Sequence, residues 1–306
     1  MTEENAAVTD NTEYVNDTDN IPEEIAAGET KFAAENADLN AAPDENADVS
    51  QDGTADVSQD GTADEETRRS EAPKKSPSGE VLVSVSHVTR EFTRKEQKIV
   101  AVNDVTLDVK KGTFVLLMGK SGSGKTTLLN LIAAIDMPTS GSVSFEGRDY
   151  ASIGENGRDN LRRVNMGIVF QNTALMSNMS AIENVEFALS IAGIRSEKRR
   201  KSSINWLEKM GIRDRRNHMP AEMSGGEQAR VAIGRALAHS PKLLLADEPT
   251  AELDTVTSRE VVKMFRELVD TEDLTIVMTT HDVNIMGYAD IIYTLEDGRI
   301  TDVRTN

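Results

Sequence analysis

Up to Gly79 the Leu, Ile, Val and Phe positions come singly, with no helical or strand spacing, whereas from Val81 onward they fall into runs with a readable spacing. Val81, Val83 and Val85 face one way between other residues, the period-two pattern of a half-buried strand. Val100, Val102, Val105 and Leu107 predict a second strand, closed by the turn Lys110-Lys111-Gly112. Phe114-Val115-Leu116-Leu117-Met118 is an unbroken apolar run and predicts a buried strand. An apolar helix follows it, from near Lys125 through Leu128 and Leu129 to Ile135. Gly167–Phe170, Leu243–Ala246 and Leu274–Met278 predict further strands, and Asp254–Val269 a further helix. Trp206, spaced with Ile204, Leu207 and Met210 over Ser203–Met210, is expected in a helix core.

Composition divides the chain at the same place. The net charge is −18; positions 1–79 hold 21 acidic and five basic side chains, and the chain from Glu80 to Asn306 holds 31 and 29. The acidic tail has eight Leu, Ile, Val or Phe side chains, and Ala47–Thr54 repeats as Ala55–Thr62, both reading ADVSQDGT. We therefore expect residues 1–79 to be a disordered acidic tail and linker, and 80–306 to be one folded domain. The nearly neutral body offers no basic face, so nucleic acid is not an expected partner. The first residues carry no basic and apolar leader, the apolar stretch Leu128–Ile135 is too short to span a bilayer, and cysteine is absent. The expectation is a soluble, cytoplasmic protein that reaches a membrane only through a partner. The basic run Lys198–Lys201 reads as a solvated helix start, with attraction to an anionic membrane as the lesser alternative.

Gly119-Lys120-Ser121-Gly122-Ser123-Gly124-Lys125-Thr126 fits G-x-x-x-x-G-K-[ST] between a strand and a helix, the context in which that pattern binds phosphate. Glycines let the backbone wrap the phosphates, and successive N–H groups with the helix N-terminus supply positive charge. Lys125 is expected on the β and γ phosphates and the Thr126 hydroxyl on Mg²⁺. Leu243–Ala246 leads into Asp247 and Glu248, so this strand would end in two acids beside the loop. Asp247 is expected to hold Mg²⁺ through water and Glu248 to polarise an attacking water.

Met223-Ser224-Gly225-Gly226-Glu227-Gln228 closely resembles the signature motif of ATP-binding-cassette (ABC) ATPases. Gln171 looks like that family's Q-loop glutamine, Ala251-Glu252-Leu253-Asp254 its D-loop, His281 its switch histidine, and Phe92 its adenine-stacking aromatic. The resemblance runs from about Val81 to Val303 with every motif in order. It implies a P-loop α/β core, an antiparallel β-subdomain from the early strands, and a signature-bearing helical subdomain over about 172–238. It also implies that ATP lies between two cassettes, with residues 119–127 (ending in Thr127) and Phe92 in one chain and Ser224, Gly225, Gly226, Glu227 and Asp254 acting across the dimer. The chain is therefore expected to pair with itself or a close homologue when ATP binds. Thr126, Gln171 and Asp247 would organise Mg²⁺, Glu248 would activate water, Lys125 would hold the phosphates, and His281 would align water and γ-phosphate. Met223, Glu227 and Ala251-Glu252 depart from the family's usual leucine, glutamine and small residues, and Glu252 bears on communication between the sites.

Within the family the phrases Leu128–Leu131, Asp136–Gly141, Phe170-Gln171 with Met179–Val185, and the SGGEQ signature resemble the lipoprotein-release and macrolide-export group and its cell-division relative. That likeness implies a motor subunit of an export-type transporter, docked on a permease through residues 172–187 at the inner face of the membrane. Leu175, Met176 and Met179 are candidates for that groove and equally for a buried cap. A non-transporting subunit that drives a membrane partner regulating a cell-wall enzyme or sensing a peptide remains the alternative. Soluble translation and repair members carry two cassettes or a long insertion, for which the stretch from Glu80 to Asn306 leaves no room.

Overall fold

The computed structural model describes residues 79–94, 97–251 and 253–306. The acidic tail with its tandem repeat, and Glu252, lie outside the described residues. Two sheets organise the body. The first is antiparallel, with β1 (Val81–Arg94), β2 (Gln97–Lys110), β4 (Ser140–Phe145) and β5 (Arg148–Asp149) in the order β2-β1-β4-β5. The second has β3 (Phe114–Met118), β6 (Met166–Val169), β7 (Leu243–Asp247), β8 (Thr275–Thr280), β9 (Ile291–Glu296) and β10 (Arg299–Thr305) in the order β10-β9-β3-β8-β7-β6. All its pairings are parallel except that of β10 with β9.

The apolar runs at β3, β7 and β8 are continuous because both sheet faces are covered. Phe114, Leu116 and Met118 enter one buried cluster with the helices, whereas Val115 and Leu117 enter a second with the antiparallel sheet. Helix α1 (Lys125–Ile132) belongs to the second cluster. It stops short of the Ile135 that the apolar pattern suggests: Ala134 turns to φ 55° and Ile135 is exposed. Helices α3 (Ala181–Ile191), α4 (Ser196–Lys209) and α5 (Gly225–Leu237) pack on one another in the first cluster, with Trp206 buried there. Helix α6 (Thr255–Glu272) runs between β7 and β8. β6 ends just before Phe170, which is exposed.

Helix α2 (Gly154–Asn165) has no counterpart in the apolar pattern, because none of its residues is buried. Its cohesion is polar: Arg158 bonds Glu155, Arg162 bonds Asp159 and the Ala134 carbonyl, and Arg163 bonds Asn160. Among the described residues no helix is long and apolar enough to cross a membrane.

Candidate nucleotide site

β3 delivers the chain into the glycine-rich loop at the C-terminal edge of the parallel sheet, where open α/β sheets gather ligands. Two glycines there are required by space as well as conformation. A Cβ on Gly119 (φ 152°) would lie 2.3 Å from the Leu295 carbonyl oxygen, and one on Gly124 (φ 101°) 2.3 Å from that of Ala101. The loop is buttressed from the β9–β10 turn, where the Gly298 N–H donates to the Ser123 carbonyl at 3.1 Å and the Gly298 carbonyl accepts from Asn103 N–H at 2.8 Å. Lys120, Ser121 and Gly122 form its exposed crest, and Thr127 is half-buried at the start of α1.

The loop's chemistry fits a polyphosphate. Gly124 caps α1 without a side chain, and the first turn has no acidic residue, so the helix N–H groups and dipole face an anion unopposed. Ser123 Oγ is buried without a partner. Lys125 is 5% exposed, and its Nζ donates to the carbonyls of Gly119 (2.8 Å) and Lys120 (3.1 Å).

The acids arrive from β7, next to β8. Asp247 Oδ1 accepts from the Thr126 hydroxyl at 3.1 Å and from the Thr279 hydroxyl at 2.6 Å. Thr279 Oγ1 in turn accepts the Glu248 N–H at 2.9 Å. Glu248 itself takes φ 44°, a left-handed conformation costly for a non-glycine residue, which turns its carboxylate back over the loop. That carboxylate lies 3.6 Å from Lys125 Nζ through Oε1 and 3.2 Å from His281 Nδ1 through Oε2. Its side chain is 19% exposed, against 67% for His281. Lys125, Thr126, Asp247, Glu248 and His281 therefore form one connected group. Thr279 joins it without having been singled out in the sequence; its signal is the parallel register Asp247↔Thr279.

The donor set toward a metal consists of hard oxygens, Thr126 and Asp247, which suits Mg²⁺. No cluster of three or more acidic or histidine ligands occurs among the described residues, so phosphate and water would supply the remaining ligands. Gln171 is not gathered in: it lies exposed beyond β6, and its side chain hydrogen-bonds to none of these groups among the described residues. Phe92, 39% exposed, pairs with Ile99 on β2, close to the Ala101 that packs on Gly124.

Ser224 is elsewhere. It caps α5, accepting the Glu227 N–H at 3.3 Å, while Glu227 Oε2 accepts from the Ser224 N–H (2.8 Å) and hydroxyl (3.1 Å). Arg215 Nε donates to Glu227 Oε1 at 2.9 Å. The Ser224 amide, the Ser224 hydroxyl and Arg215, outweighing desolvation, hold this carboxyl below the usual range. Asp254 caps α6 through the Val256 and Thr257 amides, and the Thr257 hydroxyl, its main influence, lowers its pKa. Ser224, Gly226, Arg215, Glu227, Leu253 and Asp254 line a cleft of about 650 Å³, and none of its lining residues belongs to the glycine-rich loop.

Comparison with known proteins gives a consistent pattern. The family model described as ABC transporter matches residues 102–251. An uncharacterised ABC transporter ATP-binding protein of Methanocaldococcus jannaschii is 39% identical over 222 residues, 72% of this chain and 99% of that protein. A macrolide export ATP-binding/permease protein, MacB, of Bradyrhizobium diazoefficiens is 40% identical over 228 residues, 74% of this chain but 35% of that protein. Among solved structures, a dimeric ATP-binding cassette in a post-hydrolysis state bound to ADP and Pi superimposes with TM-score 0.70 at 36% identity, over 73% of this chain and 98% of that one.

Proposed function

The chain belongs to the ABC transporter ATP-binding proteins, and from that membership we propose that it is the motor subunit of an export-type transporter, driving a separate membrane permease as ATP closes two cassettes together. Its chemistry is ATP hydrolysis, the activity of the family. The observation that carries the shared-site reading is the separation described above: Ser224, Gly226, Glu227 and Asp254 line a cleft with no phosphate-loop residue in it. A helix N-terminus displayed there is suited to receive the γ-phosphate held by a second copy. The dimeric assembly of the solved cassette supports the same arrangement.

In this reading the phosphate loop and Lys125 hold the β and γ phosphates, and Phe92 stacks on the base. Lys125 exchanges its bonds to the Gly119 and Lys120 carbonyls for phosphate oxygens. Glu248 orients the attacking water and takes its proton; His281, against the same carboxylate, aligns water and phosphate. Thr126 and Asp247 would hold Mg²⁺, which neutralises phosphate charge, and Gln171 would join them on closure. Ser224, Gly225, Gly226, Glu227 and Asp254 act on the partner's nucleotide.

The permease reading rests on relatives whose names join ATP-binding and permease functions, of which this chain spans about a third. A relative of cassette length supports a separate permease chain. Phe170, Met176 and Phe187 are exposed around the segment proposed to receive it, whereas Leu175 packs against the helical core.

Light scattering of the wild type and Glu248→Gln with Mg·ATP tests the central claim. Glu248→Gln should lose hydrolysis by about 100-fold or more and accumulate as a dimer that dissociates when ATP is removed. Saturated binding with both proteins monomeric would count against ATP-driven pairing.

A further inference from the structure

The segment Asp136–Gly141, just beyond α1, takes no part in the site described above, yet it is stitched to β1. The Thr139 N–H donates to the Thr89 carbonyl at 2.8 Å, and the Thr139 hydroxyl accepts from Glu91 N–H at 3.0 Å. Asp136 Oδ2 accepts from Arg90 Nε at 2.8 Å, while its Oδ1 accepts the Met137 N–H at 2.8 Å. The same Arg90 guanidinium lies over the Phe92 ring, with Cζ 4.6 Å from the centroid. Arg90 thus has its Nε on a carboxylate and its guanidinium carbon over an aromatic ring, two uses a lysine does not combine as well. The Arg90 and Asp136 side chains are 25% and 27% exposed, so the pair is held in place rather than waving in solvent.

We infer that Arg90 is a positioning residue for nucleotide-base recognition: clamped by Asp136, it covers one face of Phe92 and fixes the ring so that its other face receives the base. The inference rests on the stacking role proposed for Phe92. An exposed aromatic on a free strand end loses ordering entropy whenever a base stacks on it. Here much of that ordering is already done. β2, paired to β1, packs its Ala101 carbonyl on Gly124 at the start of α1, and Arg90 bonds Asp136 beyond the end of α1. The ring is therefore tied to both ends of the helix that presents the phosphate loop. That fixes the span from base platform to phosphate cradle.

Calorimetric titration of the full chain with two probes, ATP and inorganic tripolyphosphate, tests this. Arg90→Ala should weaken ATP binding about threefold to tenfold, in line with a stacked cation, and leave tripolyphosphate binding unchanged. Phe92→Ala should do the same, and the double variant should lose no more than Phe92→Ala alone, because Arg90 acts through the ring. Arg90→Lys should recover part of the loss; if Arg90→Ala does not fold, Arg90→Lys carries the comparison, with a smaller loss confined to ATP. Equal loss for both probes makes Arg90 a general structural tie and overturns the proposal. So does a full additive loss in the double variant, or wild-type ATP affinity in Arg90→Ala while Phe92→Ala is impaired. Unchanged ATP affinity in Phe92→Ala overturns the stacking reading beneath it.

Discussion

Thr279 holds two acids with one hydroxyl, donating to Asp247 and accepting from the Glu248 amide. Replacing it with valine keeps shape but leaves the Glu248 N–H without its partner, a cost of about 1–3 kcal/mol, and leaves Asp247 Oδ1 with the Thr126 hydroxyl alone. Because those groups set where the acid proposed to activate water points, we expect Thr279→Val to lower phosphate release at saturating ATP by roughly tenfold. ATP affinity should stay within about threefold, and Thr279→Ser should retain most activity. A Thr279→Val enzyme with wild-type turnover would remove Thr279 from the site. The residue was invisible in the sequence because its partners are 31 and 32 positions away and meet it only through strand register. Lys125 and Thr126 were legible for the opposite reason: their chemistry is contiguous, and a strand–loop–helix order frames it. Gln171 was legible by resemblance alone, and no hydrogen bond among the described residues joins it to Thr126 or Asp247.

At the scale of elements, helix α5 is fastened at its far end by two side chains. Arg235, desolvated and so with its pKa lowered, donates to the carbonyls of Thr173 (3.0 Å) and Ala174 (2.6 Å) after β6. His239 Nε2 lies 3.1 Å from the Met166 carbonyl and must donate to it, which leaves Nδ1 buried without a partner. Burial pushes the His239 pKa below its ordinary 6.5. The folded state therefore binds fewer protons than the unfolded one, so this contribution is present above about pH 6.5 and lost as pH falls through the folded pKa. His239→Gln can keep the bond to Met166 without titrating. We expect its melting temperature to fall less than the wild type's between about pH 6.5 and 5; parallel curves would refute the assignment. The buried strands were readable from apolar runs, while α2 was not: its Arg–acid and Arg–Asn pairs leave no stripe for a period to reveal.

For the whole molecule, charge is distributed far from evenly. Positions 1–79 carry 21 acidic against five basic side chains, while the rest is close to neutral. In the proposed ATP-bound pair that excess is present twice, and like charges oppose association until salt screens them. Removing residues 1–78 strips the same charge. We expect the shortened Glu248→Gln protein to dimerise at a lower ATP concentration than the full chain at low ionic strength. The difference should vanish near about 1 M salt, where the screening length is about 3 Å. Sizing both proteins across a salt series decides it, and equal midpoints at every salt would show the excess charge to be irrelevant to pairing.

The turn around Gly298 gives the fold a temporal order. It buttresses Ser123, and its Cα lies against the position a Cβ would take on Gly124, so the phosphate loop leans on chain made long after Lys125. At synthesis rates of about 5–20 residues per second, the stretch from Lys125 to Gly298 takes roughly 9–35 s to make. During that interval the loop lacks the Gly298 contacts that buttress it. A chain terminated before the β9–β10 turn keeps the phosphate-binding pattern but loses the contacts that shape it.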